Sequence, residues 1–240
     1  MRDYRTHLGI KQMSSLNNHD SCLVLLCKRP ALGHSKQRLA EGVGKERALG
    51  IAQLLLDCAV EDLSVFPGPR ALAPDQAQHQ QWGHALCESA LCIPQSEGNL
   101  GERLNALDMQ LRNLGHQYLI YIGSDCPLLG PDDYQRVNEQ LQHSDTVLMM
   151  AQDGGVVLMA SRKPWPTLSA LPWSTQHLGQ ALVECCRSSG HSVSLAGELF
   201  DIDLQEDLKP LLEALAHDAR PARLKLKNAL ADLLEVSDAK

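Results

Sequence analysis

Aromatic residues are scarce in this 240-residue chain: 3 Trp, 4 Tyr and 2 Phe, or 4%. That is too few for the stacking platforms on which single-stranded nucleic acids are held. Net positive charge is missing as well. Lys and Arg total 22 against 29 Asp and Glu, a formal charge of −7. Such a chain lacks the basic surface that sequence-independent nucleic-acid binding needs. No run approaches the ~18 apolar residues of a membrane span, and residues 1–20 lack the apolar stretch of a secretory signal. Residues 1–20 read as a loose, flexible leader, with Met13 an alternative start, and the expected location is the cytoplasm. The 8 Cys include no C-x-x-C pair, and the 10 His include no H-x-x-x-H or H-E-x-x-H pair. Zinc knuckles, thioredoxin-type sites and paired-histidine metal motifs therefore have no support. Cys22 and Cys27 lie in or beside an apolar run, and Cys185 and Cys186 are adjacent. These thiols read as reduced small hydrophobes rather than as a disulfide framework.

What is present is ordinary globular composition, 44% hydrophobic and 21% charged, in a length that can bury a substantial core. Apolar runs at Leu23–Cys27 and Tyr118–Ile122 read as buried strands, as do Ala71–Ala73, Leu91–Ile93, Thr146–Met150, Gly155–Ala160 and the stretch at Val193 and Leu195. Between them, apolar residues recur at steps of three and four. Ala48, Ala52, Leu55, Ala59 and Leu63 form one such stripe; Leu100, Leu104, Leu107, Leu111 and Leu114 form another. Pro131 opens a helix with Tyr134, Val137 and Leu141 on its apolar face. Gly179–Cys186 reads as a short helix, and Leu208–Val236 is helical with a break at Pro221. Strands alternating with helices imply an α/β fold with a largely parallel sheet. No repeat or low-complexity linker divides the chain, so residues 21–240 read as a single domain with C-terminal helices. In such sheets, ligands bind beyond the carboxyl ends of the strands.

Five segments fall at those positions. The first, Lys28–Leu39 (KRPALGHSKQRL), offers Lys28, Arg29, Lys36 and Arg38 around a turn with Pro30 and Gly33. Cations and backbone N–H groups after a first strand suit a di- or triphosphate; a solvated basic loop is the competing reading. The second, Gly123–Pro127 (GSDCP), puts Asp125 at the end of a strand, where a carboxylate could hold Mg²⁺ or cap the next turn. The third, Phe200–Leu208, carries Asp201 and Asp203 on one face of an extended segment. With Asp125 they could complete a metal site, or Asp203 could cap a helix starting near Leu204. The fourth, Gln95–Leu104, has Gly98 and Gly101 opening the leucine-striped helix, whose N-terminus could receive an anion. The fifth, Ala151–Leu158, holds Asp153-Gly154-Gly155, a hairpin turn signal.

In this order the five segments resemble bacterial glycosyltransferase-A-like proteins grouped as domain of unknown function 2064. The family pattern runs K-R-P-x-x-G-x-x-K-T-R-L, G-D-L-G-x-R-L, G-S-D-C-P-x-L, D-G-G-Y, W-S and D-x-D-x-x-x-D-L. The chain carries Lys28-Arg29-Pro30 with Gly33, Lys36 and Arg38, then Gly98-Asn99-Leu100-Gly101 with Arg103, then Gly123–Pro127. Asp153-Gly154-Gly155, Trp173-Ser174, and Asp201, Asp203 and Asp207 follow. The resemblance implies one doubly wound, mostly parallel α/β domain of the nucleotide-diphospho-sugar transferase type. It further implies a nucleotide or nucleotide-sugar donor held by Lys28, Arg29, Pro30, Gly33, Lys36, Arg38, Gly98, Gly101 and Arg103. Mg²⁺ (or Mn²⁺) on Asp125, Asp201 and Asp203 and a small acceptor complete the implied site. Asp125 and Asp153 are the candidate catalytic residues; no general base stands out, and Asp153 is the best candidate for one. The chain departs from the pattern at Gln37, Asn99, Met149-Met150 and Val156, where the family has Thr, Asp, Gly-Pro and Tyr. The nucleotide–metal half is thus better kept than the acceptor half. That leaves a Mg²⁺-dependent glycosyl or nucleotidyl transferase as the leading expectation and a catalytically impaired nucleotide- or sugar-binding protein as the alternative. A third reading is an interaction module docking a partner through its C-terminal helices.

Overall fold

A computed structural model describes residues 21–238; the leader, with Met13, lies outside the described residues. Among the described residues, seven strands form one sheet: β1 (Ser21–Cys27), β2 (Arg70–Pro74), β3 (Leu91–Cys92), β4 (Tyr118–Ile122), β5 (Thr146–Ala151), β6 (Val156–Ser161) and β7 (Val193–Leu199). Their spatial order is β3-β2-β1-β4-β6-β5-β7. Strand β6 pairs antiparallel with both β4 and β5, and every other pairing is parallel. Six strands therefore share one direction. The reversal of β6 follows from the Asp153-Gly154-Gly155 turn. Gly154 has φ +89°, and the Asp153 carboxylate accepts from the Gly155 N–H at 2.8 Å. This is hairpin chemistry, and it returns the chain beside β5.

Among the described residues, eight α-helices flank the sheet: α1 (Gln37–Val43), α2 (Lys45–Val65), α3 (Gln80–Leu86), α4 (Leu100–Asn113), α5 (Pro131–Leu141), α6 (Leu178–Ser188), α7 (Leu208–Ala214) and α8 (Pro221–Asp238). Period-2 alternation sorts the strand side chains. Leu23, Leu25 and Cys27 face a core closed by α2 and α5, while Cys22 and Val24 face α4 and α6. Sheets covered on both faces read as continuous apolar runs, which is why LVLLC shows no alternation. Leu104, Leu107 and Leu111 are at most 1% exposed, each contributing up to about 1.5–3 kcal/mol by burial. A third cluster packs the outer face of α2 against α1, α7, α8 and Ile202. The doubly wound, mostly parallel α/β architecture expected from the sequence is what the chain adopts. All eight cysteines are free thiols and six are buried.

The chain winds from β1 outward through β2 to β3, then crosses to place β4 on the other side of β1. The β1–β4 boundary is the topological switch point, where loops diverge and leave a crevice. Among the described residues, no helix is long and apolar enough to cross a membrane.

Candidate functional site

A cleft of about 860 Å³ opens over the carboxyl ends of the parallel strands at that switch point. Its walls come from the loop after β1, the ends of β2 and β3, the start of α4, the loop after β4, strand β6, Trp173-Ser174 and Asp203. All five sequence segments thus contribute residues directly, the fifth through Val156, Val157 and Leu158 rather than through its turn. Among the described residues, two non-glycine positions have positive φ: Lys36 at 50° and Ser174 at 63°. Both line the cleft. Such backbone is sparsely populated outside glycine and concentrates at functional sites.

Lys36 is the centre of the arrangement. It precedes α1, in left-handed backbone, and its side chain is only 8% exposed. Its ammonium lies 2.7 Å from Asp125 Oδ1 and 3.0 Å from Asp203 Oδ1, and it donates to the Ile202 carbonyl. Burial alone would lower its pKa; the charges and hydrogen bonds of Asp125 and Asp203 outweigh that and raise it. Arg38 pairs with the second oxygen of Asp203. The Asp125 loop and the acidic segment are also joined by backbone, Ile202 N–H to the Asp125 carbonyl at 3.0 Å. Ile202 is fully buried, so its neighbours Asp201 and Asp203 turn outward together, as an extended segment requires. Asp207, not Asp203, caps the 3-10 turn at Gln205–Asp207, accepting from the N–H groups of Asp203 and Leu204 at 2.8 and 2.7 Å. The Asp203 carboxylate is left for the cations.

Asp201 is partly buried, and its pKa is raised to about 6, by burial first, then by Asp153, Asp203 and Asp125. The loop carrying Asp125 is anchored from below. Arg223, at the start of α8 and fully buried, donates to the carbonyls of Pro127 and Leu129 at 3.1 and 3.2 Å. Its other donors meet Asp62 at 2.7 Å and Glu61 at 3.0 Å, and Arg220 adds a bond to the Leu129 carbonyl at 2.8 Å.

Of the sequence candidates, Lys28, Pro30, Lys36, Arg38, Gly98, Arg103, Asp125 and Asp203 line the cleft. Arg29, Gly33, Gly101, Asp153 and Asp201 are not among its lining residues. Gly101 is there for closeness. A Cβ at that position would stand 2.2 Å from the Leu168 carbonyl oxygen and 2.7 Å from Trp173 Nε1. Arg103 Nε donates to the Gly98 carbonyl at 2.7 Å. Asn99, where the family carries Asp, is the N-cap of α4. Its Oδ1 accepts from Glu102 N–H at 3.1 Å, Glu102 returns the bond at 2.8 Å, and its Nδ2 holds the Ser169 carbonyl at 3.0 Å. That is a capping box, served equally by Asn or Asp, and the amide adds a bond only a donor can make. Sequence reasoning did not single out Asp75 or Met159 of the cleft wall, and it reached Gln95 only as the first residue of the Gln95–Leu104 segment. Asp75 and Gln95 follow the shortest apolar runs, which gave little signal.

Hard carboxylate oxygens suit Mg²⁺ or Mn²⁺, and Mg²⁺ commonly takes one or two carboxylates with phosphate oxygens completing the shell. Among the described residues, no group of three His, Cys, Asp or Glu side chains is placed to hold a metal ion. The Lys36 ammonium occupies the position between Asp125 and Asp203. The donor set fits an ion that arrives with phosphate, not a cage built from protein alone.

The geometry can be set beside known proteins. The model of the family described as "uncharacterized protein conserved in bacteria (DUF2064)" matches residues 62–175. That stretch holds the Asn99, Asp125, Asp153 and Trp173 motifs. Comparison with curated proteins finds no match. Among solved structures, the chain is similar to a candidate nucleotide-diphospho-sugar transferase from Desulfovibrio desulfuricans G20. The TM-score is 0.82 at 22% identity, over 90% of this chain and 97% of that one. It is also similar to a 4-diphosphocytidyl-2C-methyl-D-erythritol synthase, at TM-score 0.51 and 10% identity over 84% and 100% of the two chains. A CMP:2-keto-3-deoxy-manno-octonic acid synthetase in complex with CTP gives TM-score 0.50 at 12% identity, over 82% and 99%. At these identities the likeness is one of fold. The chain resembles the DUF2064 family, whose pattern matches residues 62–175, and its fold is that of nucleotide-diphospho-sugar transferases and nucleotidyltransferases.

Proposed function

We propose that this protein is a transferase that takes a nucleotide or nucleotide-sugar donor, with Mg²⁺ or Mn²⁺, and passes a nucleotidyl or glycosyl group to a small acceptor. The observation that carries the reading is the convergence of Lys36 and Arg38 with Asp125 and Asp203 at the β1–β4 switch point. A cationic loop and a carboxylate pair meeting there suit an anionic donor bridged to carboxylates by a cation. Lys28 and Arg38 reach into the cleft and neutralise the donor phosphates. Lys36 joins them once a phosphate competes with its carboxylates. Asp125 and Asp203 are the residues that would hold the ion, with Asp201 beside them. The chemistry such an ion supplies when bound is charge stabilisation at the pyrophosphate oxygens. Asp153 remains the candidate general base, from the turn next to Asp201. We take residues 21–240 as one domain and place the activity in the cytoplasm, a compartment that keeps thiols reduced.

The test is a thermal-shift screen of nucleotides and nucleotide sugars with and without Mg²⁺, followed by a turnover assay of the hits. Metal-dependent stabilisation with turnover supports the transferase. Stabilisation without turnover points instead to a binding protein derived from such enzymes. If no nucleotide stabilises the chain, or Asp125→Ala leaves the metal effect intact, the proposal fails.

A further inference from the structure

We propose that the β6 end of the cleft takes an acceptor with an apolar body, an aryl or branched-alkyl alcohol rather than a sugar or a phosphorylated acid. This rests on the transferase reading above and deepens it by naming the acceptor class. The cations that would neutralise the leaving phosphates follow β1, and Asp125 follows β4. An in-line displacement then brings the acceptor from the opposite side. In the order β1-β4-β6, the wall beyond Asp125 is that of β6 and the segments packed on it.

That wall is made of carbon. Val156 and Trp173 pack against the core cluster that holds Tyr121, Met159 and Leu104, and all five line the cleft. Leu178 joins them. The N–H of the next residue, Gly179, is bonded to the Gly154 carbonyl at 2.9 Å, two residues before Val156. A Cβ at Gly179 would stand 2.1 Å from Met150 Cε, so glycine lets the start of α6 close on the hairpin.

The polar atoms on this wall are committed elsewhere. The Trp173 indole N–H donates to the Leu168 carbonyl at 2.9 Å. The Tyr121 hydroxyl donates to Asp108 at 3.0 Å, and Asp108 is itself buried. Both ends of the Asn99 amide are engaged in the capping box and on Ser169. Val156 stands where the family pattern has Tyr, so that hydroxyl is missing too. Among the described residues, the one charged side chain that α4, β6 and α6 bring to the wall is Arg103, whose Nε is held by the Gly98 carbonyl. A sugar or a phosphorylated acid placed here would leave hydroxyls or charge without partners, which is costly. An apolar body gains by leaving water and needs no such partners.

The experiment is saturation-transfer NMR titration of the full chain with 2-phenylethanol, 3-methylbutanol, glucose and glycerol 3-phosphate, with Mg²⁺ and inorganic tripolyphosphate present. Calorimetry of tripolyphosphate alone reads the donor end separately. Both apolar alcohols are expected to bind at least about tenfold tighter than glucose or glycerol 3-phosphate. Val156→Thr keeps the volume and adds a hydroxyl, and should weaken the alcohols roughly fivefold or more. Val156→Leu, which stays apolar, should retain them, and melting curves confirm that both variants fold. The inference is overturned if glucose or glycerol 3-phosphate binds as tightly as the alcohols. It is also overturned if folded Val156→Thr binds the alcohols as wild type does, since they then sit elsewhere. If tripolyphosphate binds and the alcohols do not, the acceptor assignment falls and the donor reading stands. If the alcohols bind at Val156 and tripolyphosphate does not bind, the donor reading falls and the apolar site stands.

Discussion

Replacing Lys36 with Met removes the ammonium that Asp125 and Asp203 share, and the consequences can be worked from the distances. At 2.7 and 3.0 Å, with an effective dielectric near 20, the gross attraction is roughly 5–6 kcal/mol per pair. Most of it is offset. The lysine side chain is 8% exposed and has lost its hydration, whereas the Asp125 side chain is 51% exposed and its charge is screened. Surface pairs are worth about 0–1 kcal/mol, and breaking buried ones costs about 3–5. With one partner of each kind, a net loss of about 2 kcal/mol is expected. That lowers the melting temperature by roughly 4–8 °C for a chain of this size. Backbone cost does not change, since Met at φ 50° is as strained as Lys. The folded pKa of Lys36 is raised, so its contribution is intact at neutral pH and is lost only as pH rises through that value, above about 10.4.

The same substitution frees both carboxylates. Titration of the nucleotide-free protein with Mn²⁺ should then show affinity at least about tenfold above wild type, a gain of roughly 1.4 kcal/mol. Lys36→Arg, which keeps the charge, should behave as wild type, and Lys36→Met with Asp125→Asn should lose the gain. The reasoning is refuted if folded Lys36→Met binds Mn²⁺ no better than wild type. It also fails if the wild-type protein binds Mn²⁺ as tightly without nucleotide as with it.

Other substitutions test other parts of the frame. Gly101→Ala forces a methyl against the Leu168 carbonyl and should cost about 1–3 kcal/mol in urea unfolding; a variant of wild-type stability would show that contact to be soft. Arg223→Met should cost about 3–5 kcal/mol by leaving Glu61 and the Pro127 carbonyl without this donor. Because that carbonyl fixes the Asp125 loop, metal-dependent nucleotide binding should weaken as well. Asp201→Asn should stabilise the protein by about 1 kcal/mol at pH 7, discounted for partial exposure. The folded carboxyl keeps its proton to about pH 6, so wild-type stability falls as pH rises from about 4 to 6, and the variant's advantage should vanish below pH 4. Burial would raise the Asp145 pKa, but the Ser192 N–H, Lys163 and Arg162 outweigh it and hold the carboxyl well below its usual range. Asp145→Asn should therefore destabilise by about 3 kcal/mol at pH 7. That difference should shrink as pH falls below about 4 toward the folded value, which unfolding curves taken across pH will show.

Several elements could be read directly because their signals are local. An unbroken apolar run such as YLIYI has no stable place except between two covered faces, and β4 occupies Tyr118–Ile122. Leucines at Leu104, Leu107 and Leu111 leave a helix one apolar side, and α4 buries it. The hairpin at Asp153–Gly155 follows from turn chemistry alone. The helices α1 and α3 were not legible. Each is seven residues long, and each buries a single residue, Leu39 in α1 and Gly83 in α3, so no periodicity accumulates. Asn99 was legible only in part: its type marks a departure from the family, but its capping bonds show why the change is tolerated.

The sequence by itself therefore determined the α/β class, the strands and longer helices, and which loops carry cations and which carry carboxylates. Each of these depends on neighbours within a few residues. Only the tertiary structure decided how the loops meet. The strand order places β4 against β1, which brings Lys36 to Asp125 and, through the buried Ile202, to Asp203 far along the chain. It also set the buried side chain of Gln95 in the same cleft as those charges. Local spacing carries no record of such pairings, because they are set by packing of the sheet as a whole.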